Sequence, residues 1–157
     1  MSLASLLPAF FGNTSSCPAP FTLLLFASSW CPDCTPVVPL LSRFYTAANA
    51  GEKKIGGVYV SSDRTDDAIR KHASLLPSDF VTVPTLEDRS GLKKLFGACA
   101  GSEVSGLPGI QRRFGIPTII VIETATEKVV SEDGVGDIRS HGEKCVGIWE
   151  SRAAKGS

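Results

Sequence analysis

The stretch of sequence that decides the fold is FTLLLFASSWCPDC, which occupies residues 21–34. Its first half, residues 21–27, is a nearly continuous apolar run, the pattern of a β-strand buried on both faces of a sheet. Its second half carries Cys31 and Cys34, a Cys-x-x-Cys pair. We therefore expect a central strand of an α/β sheet that ends at a dithiol.

The residues after this strand predict a helix. Apolar side chains recur at helical spacing from Pro32 to Ala50, and Gly51 follows as a stop signal. Pro32 suits the first helical position, where no N–H is needed. Cys31 then lies at the helix start, whose free N–H groups and dipole favour its thiolate. Cys34, one turn further on, faces the same side. This placement predicts that Cys31 is the nucleophile and that Cys34 resolves the mixed disulfide.

Two neighbours of the cysteines are expected to tune the reaction. The Asp33 carboxylate disfavours a second negative charge nearby, so it predicts less thiolate at Cys31 and a more reducing couple than a neutral residue would give. Trp30 stands at a strand end beside a reactive thiol, where an aromatic side chain suits a docking surface for protein substrates. Packing within the core is the simpler alternative for Trp30.

The rest of the chain predicts an α/β fold with a mixed sheet. The order is β-α-β-α, then an irregular helical stretch, then β-β-α, which places helices on both faces of the sheet in three layers. The predicted elements are a strand at residues 55–61, a helix at 63–76, an extended piece at 80–84, helices at 89–100 and 107–114, a hairpin at 117–131 and a helix at about 136–154.

Composition bounds the class of protein. The chain has 157 residues, with 16 Lys and Arg against 16 Asp and Glu, so no net charge attracts nucleic acid or an anionic membrane. No apolar stretch reaches the roughly 20 residues of a transmembrane helix. We expect one domain over residues 1–157, with an N-terminal arm at 1–19, for which a signal peptide is the less favoured alternative. Five cysteines are too few and odd in number for a disulfide scaffold, which favours a reducing, cytoplasmic setting.

The cysteines and histidines also allow other interpretations. A Cys-x-x-Cys pair can be half of a zinc site, but the sequence contains no second such pair and no His-x-x-x-His. Cys17, Cys99 and Cys145 are expected to be inert, with Cys99 the most exposed of them. His72 and His141 are expected on solvated helix surfaces or margins.

Three features together resemble the thioredoxin superfamily over roughly residues 20 to 150. They are Trp-Cys-Pro-Asp-Cys after an apolar strand, Pro39 in the following helix, and Gly-Ile-Pro-Thr at residues 115–118 before a later strand. The resemblance implies that Pro117 is cis and lies against the dithiol. It also implies that the Ile116 backbone is free to pair with an extended substrate segment.

Within the superfamily, the chain is most similar to tryparedoxins and nucleoredoxins. The similarity rests on the segment Thr35–Tyr45, on Val-Ser-Ser-Asp at residues 60–63, and on an insertion at about residues 77–114 before the cis-proline strand. Three departures stand out: Asp33 replaces the second proline of the tryparedoxin motif, Leu25 stands where thioredoxins keep a buried acid, and Ser62 replaces a frequent tryptophan.

The resemblance implies a protein-disulfide reductase that works through a redox-active Cys31–Cys34 disulfide and needs no metal, nucleotide or flavin. Trypanothione, glutathione or a flavoprotein reductase would supply the electrons, and peroxiredoxin-type peroxidases are implied clients. The alternative is a nucleoredoxin-like regulatory module, in which the dithiol makes protein binding redox-dependent.

Overall fold

The structure is a computed structural model that describes residues 19–155 of the chain. Its sheet has five strands in the order β3-β2-β1-β4-β5. They are β1 (Phe21–Ala27), β2 (Ile55–Ser61), β3 (Val81–Thr82), β4 (Thr118–Glu123) and β5 (Val129–Ser131). β1 to β3 are parallel, whereas β4 is antiparallel to β1 and β5 is antiparallel to β4. The predicted mixed sheet is confirmed. The arm at 1–19 lies almost wholly outside the described residues, and the domain limits stay predictions.

Helices cover both faces of the sheet. They are α1 (Val37–Ala48), α2 (Asp66–Ala73), α3 (Leu86–Phe96), α4 (Gly134–His141) and α5 (Cys145–Lys155), with short 3₁₀ helices at Gly101–Gly106 and Gly142–Lys144. Within residues 19–155, none of these helices has the length and apolar character that a membrane span requires.

Successive side chains of β1 belong to two hydrophobic clusters in turn. Leu23 and Leu25 join the first cluster with both site cysteines and Trp149 of α5. Leu24 and Phe26 join the second with Leu92 of α3. Both faces of β1 are buried, which confirms the meaning of its continuous apolar run.

The helix after the dithiol begins later than the sequence predicted. It starts at Val37, not at Pro32. Between them the chain makes two turns, in which Cys34 N donates to Cys31 O and Val37 N donates to Cys34 O, each at 3.1 Å. Pro36 has no N–H to donate to the carbonyl four residues earlier, so a regular α-helix cannot include this segment. The prediction that Cys31 caps an α-helix is therefore wrong.

The segment before β4 also differs from the prediction. Helix α3 begins at Leu86, because Thr85 caps it by accepting from Asp88 N at 3.1 Å. It ends at Phe96, because Gly97 adopts a φ of 67°. The helix predicted at 107–114 is absent from the described structure. The N–H groups of Arg113 and Phe114 are bonded to Gly97 O instead, and a 3₁₀ helix occupies 101–106.

The last predicted helix is divided in two. Gly142, with a φ of 52°, interrupts the helical backbone between α4 and α5. Asp133 caps α4 through its side chain, which accepts from Gly136 N at 3.0 Å, so α4 begins two residues earlier than expected.

Candidate active site

The dithiol lies in the segment that connects β1 to α1. Cys31 is 6% exposed and Cys34 is 1% exposed, so Cys34 is the deeper of the two. No disulfide joins them in this structure. Thr35 Oγ1 lies 3.4 Å from Cys31 O and adds a side-chain bond to the turns that hold the segment.

The environment of Cys34 keeps it protonated. Burial raises the pKa of Cys34 to about 12, with further contributions from the hydrogen bond and the charge of Cys31 and from the Asp33 carboxylate; a backbone hydrogen bond at Ser28 opposes them. A thiol with this pKa is a poor nucleophile at neutral pH. Cys31, the less deeply buried of the two, lies closer to the surface.

The loop before β4 lies against the dithiol. The Ile116–Pro117 peptide bond is cis, as the resemblance implied. Cys31 Sγ lies 3.9 Å from Ile116 O, within reach of a weak thiol hydrogen bond. The predicted site residues Cys31, Cys34 and Ile116 are therefore brought together by two distant parts of the chain.

Trp30 is held at the surface beside this centre. Its side chain is 52% exposed, so the alternative of core packing is wrong. The preceding residue, Ser29, donates from its N–H and its hydroxyl to Asp63 Oδ1, at 3.0 and 2.8 Å. Asp63 was not predicted as a site residue. The Val-Ser-x-Asp motif that ends β2 was the signal that could have identified it.

An open groove of about 430 Å³ runs from Trp30 to residues of the predicted insertion that lie between Leu86 and Leu107. Lys93 of α3, which is almost fully buried, forms an ion pair with Glu103 of the 3₁₀ helix. Glu103 also accepts from Ser62 Oγ at 2.6 Å, beyond the end of β2. Arg64 lines the same groove. Sequence patterns missed these groove residues because their contacts join segments far apart in the chain.

Tyr59, which belongs to the same hydrophobic cluster as the dithiol, forms a buried polar pair with His72. The hydroxyl of Tyr59 is 2.6 Å from Nδ1 of His72. His72 is buried, so its predicted place on a solvated helix surface is wrong; His141 is exposed as expected. Burial lowers the pKa of His72, with the charge of Asp63 acting against it. Burial also raises the pKa of Tyr59.

The other described cysteines are buried core residues. Cys99 is fully buried, so the expectation that it is exposed is wrong. Burial raises the pKa of Cys99, and it raises that of Cys145 to about 11. Cys17 lies outside the described residues. Among residues 19–155, no three His, Cys, Asp or Glu side chains are grouped so that they could hold a metal ion.

Comparisons with known sequences agree on a family. A family model described as Thioredoxin-like matches residues 21–128. Nucleoredoxin of Bos taurus is 29% identical over 112 residues, which are 70% of this chain and 22% of that protein. A probable nucleoredoxin 1 of Arabidopsis thaliana is 29% identical over 76% of this chain and 18% of its own length. The matched stretch is thus only about a fifth of these relatives.

Solved structures show the same fold. Tryparedoxin from Trypanosoma brucei matches with a TM-score of 0.62 and 21% identity, covering 80% of this chain and 76% of that one. A tryparedoxin II complexed with glutathionylspermidine matches with a TM-score of 0.64 and 17% identity, covering 81% and 77%. The family match over residues 21–128, together with the shared fold, leads to one conclusion: the chain belongs to the thioredoxin-like family.

Proposed function

We propose that this protein is a tryparedoxin-like thiol–disulfide oxidoreductase that reduces protein disulfides through Cys31 and Cys34. The observation that carries the proposal is the unequal setting of the two sulfurs. Cys31 borders the surface next to Ile116 O, whereas Cys34 is buried with its pKa raised to about 12 by burial and by Cys31. In this proposal Cys31 attacks the substrate disulfide, and Cys34 reacts only in the second step.

The reaction transfers two electrons from the dithiol to the client. The Cys31 thiolate attacks a client disulfide, forms a mixed disulfide and releases one client sulfur as a thiolate. Cys34 loses its proton and attacks Cys31, which forms the Cys31–Cys34 disulfide and releases the second client sulfur. An external dithiol then reduces the pair. This cycle needs no metal, nucleotide or flavin bound to the protein.

The residues around the sulfurs have proposed roles in docking and tuning. Trp30 presents an exposed aromatic face to the client. Ile116 and Pro117 would line the path of an extended client segment, because proline has no N–H to interfere beside the sulfurs. Pro32 shapes the turn between the cysteines. Asp33 adds a negative charge that disfavours thiolate formation.

We further propose that a low-molecular-weight dithiol such as trypanothione or glutathione, or else a flavoprotein reductase, supplies the electrons. Peroxiredoxin-type peroxidases are the proposed clients. The first kind of donor is proposed because the fold is shared with a tryparedoxin II complexed with glutathionylspermidine. A reducing cytoplasmic compartment would keep the dithiol in its working form.

Turnover of a disulfide substrate tests this function. With insulin or an oxidised peroxiredoxin as substrate, the wild type should complete many cycles with glutathione, with trypanothione or with NADPH and a thioredoxin reductase. Cys31→Ser should be inactive. Cys34→Ser should stop at the mixed disulfide, which dithiothreitol releases. Cys145→Ser, at a buried cysteine of α5 that has no proposed role, is the matched control and should turn over normally. Capture of clients by Cys31→Ser would contradict the mechanism.

A second candidate is a nucleoredoxin-like binding module, which the sequence matches to nucleoredoxins favour. In that case the oxidation state of the dithiol would change affinity for a partner without repeated cycles. A wild type that binds partners differently when oxidised or reduced, and that completes no more than one turnover per molecule, would select this candidate over the reductase.

A further inference from the structure

The groove that begins at Trp30 is lined by both positive and negative side chains. Three of its charged residues are cationic and two are acidic, which leaves an excess of one positive charge: Arg64, Arg89 and Lys93 against Asp63 and Glu103. A ligand can use only those charges that the protein has not already paired. The contacts of each charged side chain therefore decide which kind of ligand the groove can hold.

Both carboxylates of the groove are occupied by the protein itself. Asp63 Oδ1 accepts from the N–H and the hydroxyl of Ser29 at 3.0 and 2.8 Å, and Oδ2 lies 3.2 Å from the same N–H. Glu103 forms the ion pair with Lys93 and also accepts from Ser62 Oγ at 2.6 Å. Lys93 has its charge balanced by this pair. The remaining cations of the groove are its two arginines.

Arg89 of α3 is a buried cation with an incomplete set of partners. Its side chain is 7% exposed, and its Nη1 donates to the carbonyls of Val83 and Pro84 at 3.2 and 3.0 Å. Among residues 19–155, no carboxylate lies within ion-pair distance of Arg89, and its Nε and Nη2 have no hydrogen-bond partner. A buried charge is costly without an opposite charge beside it. An anion bound in the groove would supply that charge.

Arg64 brings a second guanidinium to the same groove. It is exposed, it follows the end of β2, and within the described part of the chain it takes part in no ion pair. With Trp30 it also lines a neighbouring groove of about 460 Å³, so these two side chains stand on the border that both grooves share. The fork of N–H donors on a guanidinium matches the two oxygens of a carboxylate.

The groove starts next to the reactive sulfur. Trp30 directly precedes Cys31, so their Cα atoms are about 3.8 Å apart. A small molecule bonded to the Cys31 sulfur can therefore extend past the exposed ring of Trp30 toward the two arginines. The volume of about 430 Å³ suits such a ligand, since sites for small molecules commonly measure about 300–1,000 Å³.

We propose that Arg64 and Arg89 bind a carboxylate of a low-molecular-weight thiol while the sulfur of that thiol exchanges with Cys31. This inference rests on the proposed reductase function and names the chemical class of its electron donor, an anionic thiol such as glutathione. A thiol whose groups near the sulfur are cationic would be disfavoured, because the groove carries a positive excess.

The exchange uses two donor molecules. The thiolate of the first attacks Cys31 in the oxidised pair, forms a mixed disulfide and releases Cys34 as a thiolate, which takes up a proton. The thiolate of the second attacks the donor sulfur of the mixed disulfide, forms the donor disulfide and releases Cys31. Two electrons thus pass to the protein. The carboxylate contacts hold the first donor during both steps.

The test measures the reverse exchange, which passes through the same mixed disulfide. The reduced protein is mixed with glutathione disulfide, which carries carboxylates, with uncharged bis(2-hydroxyethyl) disulfide, or with the dication cystamine. Acid quenching and alkylation of the remaining thiols give each second-order rate constant. Dividing the rate with glutathione disulfide by the rate with the uncharged disulfide removes general effects on Cys31.

This ratio should depend on the groove arginines. It should fall about tenfold in Arg64→Gln, the scale of one charge-assisted hydrogen bond, whereas the corresponding ratio for cystamine should not fall. Arg64 is exposed and unpaired within residues 19–155, so its replacement should leave the fold intact. Arg43→Gln removes an exposed charge from the groove between α1 and α4 and is the matched control, which should keep the wild-type ratio. An equal fall in both variants, or no fall in Arg64→Gln, would overturn the proposal.

A ligand that cannot react separates binding from exchange. S-methylglutathione keeps the carboxylates but has no free thiol, and it is added to Cys31→Ser protein. It should shift the NMR signals of the Trp30 indole N–H and of the Arg89 side chain, with an affinity that Arg64→Gln lowers about tenfold. Signal changes confined to residues outside the groove, or an affinity that Arg64→Gln leaves unchanged, would contradict the assigned site.

Failure of the underlying function gives a different result. If none of the three disulfides oxidises the wild-type dithiol, the reductase function itself is wrong. If the uncharged disulfide and cystamine react as fast as glutathione disulfide in the wild type, the reductase stands and only the carboxylate site is wrong.

Discussion

The β1–β2 region and the segment from Pro84 to Phe114 are held together by different forces. β1 and β2 are buried along their whole lengths, and apolar side chains pack on both faces of β1. The Pro84–Phe114 segment depends more on polar contacts: Lys93 pairs with Glu103, and Arg89 donates to the carbonyls of Val83 and Pro84 at 3.2 and 3.0 Å.

This difference explains what each region contributes to the site. The strands hold Cys31 and Cys34 in a fixed position just beyond the end of β1, because a close-packed core permits little movement. The Pro84–Phe114 segment places one wall of the groove beside Trp30, and its position depends on a few buried charges. We therefore expect substitutions in the strands to lower global stability more than substitutions in the Pro84–Phe114 segment do.

The largest expected effect is on global stability in the strands. Leu23→Ala removes a fully buried side chain of β1 and should lower the free energy of unfolding by about 4 kcal/mol, because it leaves a cavity in the core. Urea unfolding followed by circular dichroism measures this. Leu75→Ala, at a side chain that is mostly exposed, is the control and should stay within about 0.5 kcal/mol. Equal losses for both variants would contradict the assigned burial.

The next effect concerns the ion pair of the Pro84–Phe114 segment. Glu103→Gln leaves the buried Lys93 without its partner and should cost about 3 kcal/mol of unfolding free energy. The double variant Lys93→Met with Glu103→Leu should recover most of the loss. Asp79→Asn breaks the exposed pair with Lys53 and should cost no more than about 1 kcal/mol. A double variant as unstable as the single one would show that the charges are not the cause.

A matched pair of helix caps compares the Pro84–Phe114 segment with α2, a helix outside it, at smaller scale. Thr65 caps α2 and Thr85 caps α3, each by accepting an N–H at 3.1 Å. Each Thr→Ala change should cost about 1 kcal/mol. Hydrogen exchange should show faster local opening of α2 after Thr65→Ala and of α3 after Thr85→Ala, because each change removes the cap of that helix. Opening confined to α2 in both variants would contradict the comparison.

The smallest effect is a pH dependence at Asp137 of α4. Burial alone would raise the pKa of Asp137, but hydrogen bonds from Trp149, Ser131 and Arg152 outweigh it and hold the pKa below its usual value. Because the folded pKa is lower than the unfolded one, this contribution is full above about pH 4 and is lost as pH falls through the folded pKa. Unfolding midpoints of wild type and Asp137→Asn should therefore converge in acid; a gap independent of pH would contradict this.

The parts of the fold that sequence reasoning predicted are those with a local signal. The apolar run at residues 21–27 identified β1, and the Cys-x-x-Cys pair after it identified the dithiol. Other predictions failed because a long-range contact overrode the local pattern. The helix expected at 107–114 does not form, because the N–H groups at its end donate to Gly97 O. His72 was expected at the surface, but it is hydrogen-bonded to Tyr59 in the core.

The sequence by itself determined the order of the strands along the chain, because buried strands appear as apolar runs. It also determined the cysteine pair and the family resemblance, because both depend on short motifs with fixed spacing. Only the tertiary structure decided which groups surround that pair: Ile116 O at Cys31, Asp63 at the Trp30 loop and the Tyr59–His72 pair in the core beneath. Hydrogen bonds and charges act over a few ångströms in space, whatever the distance along the chain.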